Sequence, residues 1–364
     1  MDIPYPAEIK QYLDSYIIGQ DEAKRIISVA AYYHYKRVNG IILDDDSMEL
    51  EKSNILICGP TGVGKTALIK CLGKLLHKPV AVCDCSSFTQ NSYRGRDLDT
   101  MFNDLFALTD DKEEAQQGIL FLDEFDKMAS VIFESGEFNV NGAAVQREIL
   151  KYIEGTTLTI RCGEVEELFD TSNILFICGG AFEGIEPIIE KRLYSAANVA
   201  ATIGFGALNS SSGKHPRATS NLQMKVSVED FMKYGLIPEL LGRLPVICPL
   251  NELTIPDLVR ILTEPHNAIV RQYKRLLSGE NAKLTIQQEA LTAIATEANR
   301  RHLGARGLRS IMERILNKMM FTIPQIPYPV EIIVTQACVE KGIEPVVKRI
   351  SNNNLLYEAR LERI

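Results

Sequence analysis

The 364-residue sequence contains no tryptophan, only five histidines and no Cys-x-x-Cys pair. Such pairs, with histidines nearby, are typical of structural zinc sites, so their absence disfavours a zinc protein. The eight cysteines are scattered, and only Cys83 and Cys85 lie close together; the eight positions are 58, 71, 83, 85, 162, 178, 248 and 338. Because most of them lie inside apolar runs, we expect buried thiols in a reducing compartment.

The sequence also lacks a long apolar run and an excess of positive charge. No stretch approaches the ~20 apolar residues that span a bilayer, so we expect no membrane segment. Forty Lys and Arg against 47 Asp and Glu give a net charge of −7, which disfavours a surface built mainly for nucleic acid, although it leaves room for a local basic channel. The N-terminus, MDIPYP, does not have the basic and then apolar pattern of a secretory signal. We therefore expect a cytoplasmic protein.

Strand and helix patterns alternate over residues 50–250. Five apolar runs have the continuous character of strands buried on both faces of a parallel sheet, at Ile55–Cys58, Val80–Cys83, Ile119–Leu122, Ile174–Cys178 and Val246–Ile247. Apolar residues at helical spacing lie between them, from Leu98 to Phe106 and from Val145 to Ile153. This alternation predicts a three-layer α/β domain with right-handed crossovers over residues 1–250.

The pattern changes after about residue 252, where helical stripes predominate. These stripes lie at 258–262, 291–298 and 308–319, and a strand-like run follows at Glu331–Val334. We therefore predict a small, mainly helical second domain with short strands at 251–340 and a C-terminal tail at 341–364. The polar, serine-rich stretch 207–225 predicts a long loop in the first domain.

A glycine-rich loop follows the first predicted strand and precedes a helical pattern. It matches GxxxxGK[ST] with Gly59, Pro60, Thr61, Gly62, Val63, Gly64, Lys65 and Thr66. In this motif backbone N–H groups surround a phosphate, the lysine contacts the β- and γ-phosphate oxygens, and the hydroxyl binds Mg²⁺. A glycine turn with a chance Lys-Thr pair is the alternative, and the flanking strand and helix argue against it. The loop predicts ATP and magnesium binding.

Two carboxylates, Asp123 and Glu124, end the third apolar run. Asp123 is placed to hold Mg²⁺, and Glu124 to polarise the attacking water. Alone, such a pair is more often a solvated turn. Together with the phosphate loop some 60 residues upstream, it indicates nucleotide hydrolysis.

Several segments, taken in order, resemble the ClpX family of AAA+ unfoldases, and the related HslU proteins fit less well. Beyond the two nucleotide motifs, the resemblance rests on the segments 6–20, 174–181, 235–245 and 304–309, and it extends over about residues 4–336. It covers the AAA+ core, without the zinc-binding domain that commonly precedes that core. The resemblance implies an AAA+ P-loop fold, a homohexameric ring, and ATP bound between the large and small domains.

The family resemblance also assigns roles to individual residues. Around the adenine it places Tyr16, Ile17, Ile18 and Gly19. Arg243 corresponds to a finger that reaches the γ-phosphate of the neighbouring subunit, and Arg306 to an arginine that contacts nucleotide from the small domain of its own subunit. Positive charge at the transferring phosphoryl group is worth ~10³–10⁵ in rate where arginine fingers have been measured. Without the resemblance, the sequence around each arginine would indicate only an ordinary surface residue in an ion pair.

The stretch that corresponds to the family's first pore loop carries Tyr93 and Arg94. An aromatic ring can contact an extended polypeptide without regard to its sequence, and Arg94 would favour acidic substrates. An ordinary loop tyrosine is the alternative. The second pore loop differs from the family pattern at Phe138, Asn139 and Ala143, and the acidic segment 161–167 stands where the family has a basic loop. The resemblance therefore does not imply that this chain recognises the family's usual degradation tags.

Ile203, Gly204 and Phe205 match the tip of the loop with which the family docks into the ClpP peptidase. Six such tips on a ring would bind through multivalency. The alternative is that Ile203 and Phe205 pack against their own domain.

These observations predict an ATP-driven protein unfoldase that acts with a ClpP-like peptidase, on protein substrates and with adaptors. A peptidase-independent remodeller of protein complexes is a second hypothesis. A nucleic-acid motor is disfavoured by the acidic pI, and a nucleotide-binding scaffold without turnover by the full set of catalytic residue types.

Overall fold

The computed structural model describes residues 3–40, 51–89, 98–109, 111–129, 140–162, 165–202 and 222–350. The chain forms two compact units. The first contains residues 1–13, 20–60 and 64–252, and the second contains residues 14–19, 61–63 and 253–364.

The first unit is built on a parallel sheet of five strands. The strands of this unit are β1 (Ile55–Cys58), β2 (Val80–Asp84), β3 (Ile119–Asp123), β4 (Thr157–Cys162), β5 (Val165–Asp170), β6 (Leu175–Gly180) and β7 (Val246–Pro249). The sheet has the order β2-β3-β6-β1-β7, and each neighbouring pair is parallel. Every residue of β1 and β6 is buried, as expected for strands covered on both faces. The five predicted strands and the α/β fold class are confirmed.

Helices surround this sheet. They are α1 (Pro6–Asp14), α2 (Asp21–Val38), α3 (Lys65–Leu76), α4 (Ser86–Thr89), α5 (Thr100–Phe106), α6 (Lys112–Ala115), α7 (Val140–Glu154), α8 (Glu186–Thr202), α9 (Val228–Tyr234) and α10 (Pro238–Gly242). The two helical patterns of the sequence correspond to α5 and α7. In the core of this unit, the ring of Phe102 packs against the rings of Tyr152 and Phe169.

Strands β4 and β5 form a separate antiparallel hairpin. The family resemblance predicts a loop at residues 161–167, whereas most of this segment lies in the two strands. The hairpin forms because Ile160 and Phe169, one on each strand, are buried in the core of the first unit.

In its described residues, the second unit combines five helices with a three-stranded sheet. Its elements are α11 (Ile255–Thr263), α12 (Ile269–Ser278), β8 (Ala282–Ile286), α13 (Gln288–Arg300), α14 (Gly304–Thr322), β9 (Val330–Val334), α15 (Gln336–Glu340) and β10 (Val346–Arg349). The sheet order is β10-β9-β8. The predicted small helical domain is confirmed as a fold class, and α11, α13, α14 and β9 correspond to its predicted elements. Strand β10 lies within the predicted C-terminal tail, where its exposed residues give little sequence signal.

Among the described residues, no helix is both long enough and apolar enough to cross a membrane.

Candidate nucleotide-binding site

The phosphate loop joins β1 to α3. Gly62 and Gly64 have φ values of +82° and +102°, a region that favours glycine. Gly59 is required for another reason, because a Cβ atom there would lie 2.8 Å from the Cβ of Leu250. The loop therefore uses its glycines for a backbone path that larger residues would obstruct.

Lys65 begins α3 and is buried. Its Nζ donates hydrogen bonds to the carbonyl oxygens of Gly59 and, at 3.0 Å, of Pro60. The ammonium group is thus held directly against the loop that the motif assigns to phosphate.

Burial raises the pKa of the neighbouring Cys58 thiol to about 12, so this core cysteine stays protonated at physiological pH.

The two predicted magnesium ligands lie together. Thr66 Oγ1 donates a hydrogen bond of 2.9 Å to Asp123 Oδ2, although the residues are 57 positions apart in the chain. Asp123 ends β3, and its other oxygen accepts the backbone N–H of Glu124 at 3.0 Å. Hydroxyl and carboxylate oxygens are the ligand types that magnesium prefers, so this pair fits the ion.

Glu124 follows in a left-handed conformation, with φ +55°. Its side chain is exposed, and within the described residues its carboxylate has no hydrogen bond or ion pair. Backbone conformations of this kind are held by the surrounding structure and are common in active sites. Glu124 is therefore available to a water molecule beside Asp123.

Asp126 is a further carboxylate that the sequence analysis missed. It is buried, and its Oδ1 accepts the backbone N–H of Ala181 at 3.2 Å. A Cβ on Gly180 would lie 2.6 Å from the same oxygen. Asp126 therefore fixes the end of β6 beside the end of β3. No local pattern in the sequence marks Asp126, because its partner Ala181 lies 55 positions away in the chain.

The tip of the phosphate loop, residues 61–63, clusters with the second unit. Within that unit, Ala305 N donates a hydrogen bond of 3.0 Å to Gly62 O. The backbones approach so closely that a Cβ on Gly62 would lie 2.6 Å from Leu303 O.

Arg306 follows Ala305 in the first turn of α14. It is exposed, and no hydrogen bond or ion pair of its side chain is found in the described part of the chain.

The segment Tyr16–Gly19 also belongs to the second unit. His266 N donates a hydrogen bond of 2.9 Å to Ser15 O, and the His266 ring lies 5.8 Å from the ring of Tyr16. Ile18 is buried, and Gly19 has φ +66°. His266 is a second residue that the sequence analysis missed, because it lies some 250 positions away from the segment it contacts.

Arg243 is not brought to the phosphate loop. It precedes β7, where Val246 pairs with Ile55 at the amino end of β1, whereas the loop follows the carboxyl end of β1. The four residues of β1 place these two ends ~10 Å apart. The Arg243 side chain instead pairs with two carboxylates, with Nε 3.1 Å from Glu154 and Nη1 3.6 Å from Glu51. Its carbonyl oxygen accepts a hydrogen bond of 3.1 Å from the buried Asn54.

Five predicted functional residues lie outside the described residues, and so do two positions of the second pore loop. The five are Tyr93, Arg94, Ile203, Gly204 and Phe205, and the two are Phe138 and Asn139. Most of the predicted loop at 207–225 also lies outside them, while residues 223–225 form a short 3-10 helix.

Comparison with known proteins shows two family matches in the chain. Residues 50–247 match the AAA domain (Cdc48 subfamily), and residues 253–324 match the C-terminal, D2-small domain of ClpB protein.

Curated relatives match along nearly the whole chain. The ATP-dependent Clp protease ATP-binding subunit ClpX of Treponema denticola is 42% identical over 357 residues, which is 95% of this chain and 84% of that protein. The protein of the same name from Borrelia duttonii is 42% identical over 359 residues, covering 95% of this chain and 81% of that protein. The similarity therefore covers both units.

Proposed function

The chain belongs to the ClpX family of AAA+ ATPases, and from this membership we propose that it is an ATP-driven protein unfoldase and translocase that feeds polypeptide to a ClpP-like peptidase. The hydrogen bond between Thr66 and Asp123 carries the catalytic part of the proposal, because it joins the phosphate loop to the strand-end carboxylate. The peptidase part is supported by the names of the relatives, which are subunits of a Clp protease.

In this proposal Lys65 binds the β- and γ-phosphate oxygens of ATP, and the backbone N–H groups of 59–66 surround the phosphates. Thr66 and Asp123 hold magnesium, which when bound would neutralise charge on the phosphates. Glu124 orients the attacking water and accepts its proton. Each role uses an atom whose position in the first unit suits it, since Lys65 touches the loop and Glu124 follows Asp123 directly.

We assign the adenine to Tyr16, Ile17, Ile18 and Gly19, and contact with the nucleotide to Arg306. Support for the arginine comes from its place one residue after Ala305, which is bonded to Gly62. Among the residues that the structure describes, the Arg306 side chain has no carboxylate partner, so its full charge can be offered to a phosphate.

Arg243 serves a neighbouring copy of the chain. Its distance along the sheet from the phosphate loop of its own unit favours a role in trans, as in a homohexameric ring whose sites are shared between subunits. The proposed pore contact by Tyr93 and Arg94, and the proposed peptidase docking by Ile203, Gly204 and Phe205, rest on the family resemblance alone.

The proposal is tested by ATP-dependent degradation of a panel of folded proteins that carry different tags, together with a ClpP peptidase. We expect degradation with ATP, and none with ADP or with Glu124→Gln. ATP-dependent unfolding without degradation would replace the proposal with a peptidase-independent remodeller. ATPase activity stimulated by DNA, with salt-dependent binding, would replace it with a nucleic-acid motor.

A further inference from the structure

Gln20 follows the adenine segment and is clamped to a distant part of the chain. Its Nε2 donates a hydrogen bond of 2.8 Å to Asn251 O, and its Oε1 accepts one of 2.8 Å from Asn251 N. The residue is only 5% exposed. A primary amide is the side chain that can donate and accept at once in this paired fashion, so the contact specifies Gln20 chemically.

The backbone at Gln20 is also unusual. With φ +59° it occupies the left-handed region directly after Gly19, which has φ +66°. Glycine would adopt this conformation without strain, whereas glutamine does not. The two hydrogen bonds of the Gln20 side chain therefore offset the backbone strain at this residue.

The residues beside Asn251 lead directly to the phosphate loop. Leu250 N donates a hydrogen bond of 2.7 Å to Cys58 O, the last carbonyl of β1. The Cβ of Leu250 also occupies the space that a side chain at Gly59 would need. One continuous set of contacts thus runs from Gln20 through 250–251 to the start of the loop, all within the first unit.

Helix α2 also has contacts that do not involve this amide. Cys248 Sγ contacts Ala23 O at 3.7 Å, and the buried Ala23, Ile27 and Ala31 supply apolar packing along the helix. The Gln20 amide instead acts at the single turn between Gly19 and α2.

We propose that Gln20 is a positioning residue for the nucleotide. Its amide bonds hold the left-handed turn of Gly19 and Gln20, and this turn sets the backbone at the carboxyl end of the segment Tyr16–Gly19. This inference rests on the proposed function, which assigns adenine to that segment. It implies that losing the amide weakens recognition of the base more than binding of the phosphates.

Two variants separate the amide from the backbone turn. Gln20→Gly removes both side-chain hydrogen bonds and also removes the backbone strain of a positive φ. Gln20→Glu keeps the side-chain shape and the bond from Asn251 N, but it places a carboxylate oxygen against Asn251 O. Gln288→Glu makes the same chemical change at an exposed position of α13 and serves as the control.

The measurement is the equilibrium dissociation constant of the full chain for ADP and for GDP, with inorganic tripolyphosphate as a phosphate-only competitor. We expect both Gln20 variants to bind ADP about 10-fold more weakly, the loss that corresponds to about one net hydrogen bond. GDP and tripolyphosphate binding should change less than about 2-fold, so the preference for ADP over GDP falls. The control should match the wild type.

The proposal is overturned if both variants keep the wild-type preference for ADP over GDP. It is equally overturned if all three ligands weaken together with a lowered Tm, since that pattern describes a purely structural amide. Because binding of ADP and GDP needs no hydrolysis, these outcomes are independent of the ATPase. Hydrolysis by the wild type and its loss in Glu124→Gln test the proposed function separately.

Discussion

Glu124 occupies a left-handed backbone position directly after Asp123, with an exposed carboxylate. Replacing it with Gln removes the base without changing the shape or the phosphate contacts. We expect Glu124→Gln to keep ADP binding within about 2-fold and to lower the rate of ATP hydrolysis by ~10²–10⁴-fold.

The matched control is Glu113→Gln, an exposed glutamate of α6, which should hydrolyse ATP at the wild-type rate. Phosphate release is measured at saturating ATP for both variants. Turnover of Glu124→Gln near that of the control would remove the general-base role.

Lys52 shows how burial alters a charged residue outside the nucleotide site. Its Nζ donates hydrogen bonds to Ile153 O at 3.1 Å and to Thr171 O at 2.8 Å, above the ring of Phe176. Burial, and then the charge of Arg37, lowers the pKa of Lys52 from 10.5 to about 7, while the charge of Asp170 acts in the opposite direction.

The lowered pKa predicts a pH dependence of stability. Between about pH 7 and 10.5 the unfolded chain holds a proton on Lys52 that the folded chain has lost, so stability rises with pH. The slope from this residue is at most about 1.4 kcal/mol per pH unit. We expect Tm to rise more from pH 7 to 9 in the wild type than in Lys52→Met. The exposed Lys348→Met should follow the wild type, and parallel curves for all three proteins would contradict the prediction.

At the scale of elements, the close approach of the phosphate loop to the start of α14 depends on glycine. A Cβ on Gly62 would lie 2.6 Å from a backbone oxygen at a φ of +82°. At Gly342, in the same unit, φ is +67° but a Cβ would meet nothing within 4 Å. The two glycines share the strain of a positive φ and differ in the clash.

We therefore expect Gly342→Ala to lower the free energy of unfolding by about 1 kcal/mol, from backbone strain alone. Gly62→Ala should lower it by at least about 2 kcal/mol, because the clash adds to the strain. Calorimetric unfolding of both variants measures the difference. Equal losses would show that the loop and α14 can separate without penalty.

The elements of the fold also differ in how well the sequence predicts them. The five strands of the central sheet could be predicted because each is a continuous apolar run, and the loop 59–66 because its residues are contiguous. The hairpin β4–β5 could not, since its strands are ordered by pairing with each other and by the burial of Ile160 and Phe169. Helix α12 carries three basic residues, and its buried Val270, Tyr273 and Leu277 form only a narrow apolar stripe, which gives a weak sequence signal.

Within the candidate site, the contiguous motifs were predictable and the long-range contacts were not. Thr66 and Asp123 belong to recognisable motifs, and the structure brings them together. Asp126, His266 and the clamp by Gln20 depend on chain segments that meet only in the folded protein. No local pattern in the sequence encodes a hydrogen bond between positions 20 and 251.

At the scale of the whole molecule, the first unit carries its proposed catalytic residues at opposite ends of its sheet. Lys65 and Glu124 lie at the carboxyl ends of β1 and β3, and Arg243 at the amino end of β7. Each chain would then supply its phosphate loop to one site and its arginine to another. Such an arrangement makes a closed ring the natural assembly.

A mixing experiment tests this sharing of sites. Arg243→Ala removes the proposed finger and Lys65→Ala removes the proposed phosphate-binding lysine, so we expect each protein alone to lose ATP hydrolysis by at least ~100-fold. Mixed assemblies contain interfaces where an intact loop from the first variant meets an intact arginine from the second. Hydrolysis should therefore reappear on mixing, with a maximum near equal amounts of the two proteins.

The control mixes Arg243→Ala with Glu124→Gln and Lys65→Ala with Glu124→Gln. The first pair can complement, because the Glu124 variant still carries Arg243. The second cannot, because both its members have a defective site of their own. Rescue in the first pair alone would show that Arg243 acts across the interface. If mixed assemblies form and neither Arg243→Ala mixture regains hydrolysis, the role in trans is wrong, and the ion pairs of Arg243 with Glu51 and Glu154 are then its function in the fold.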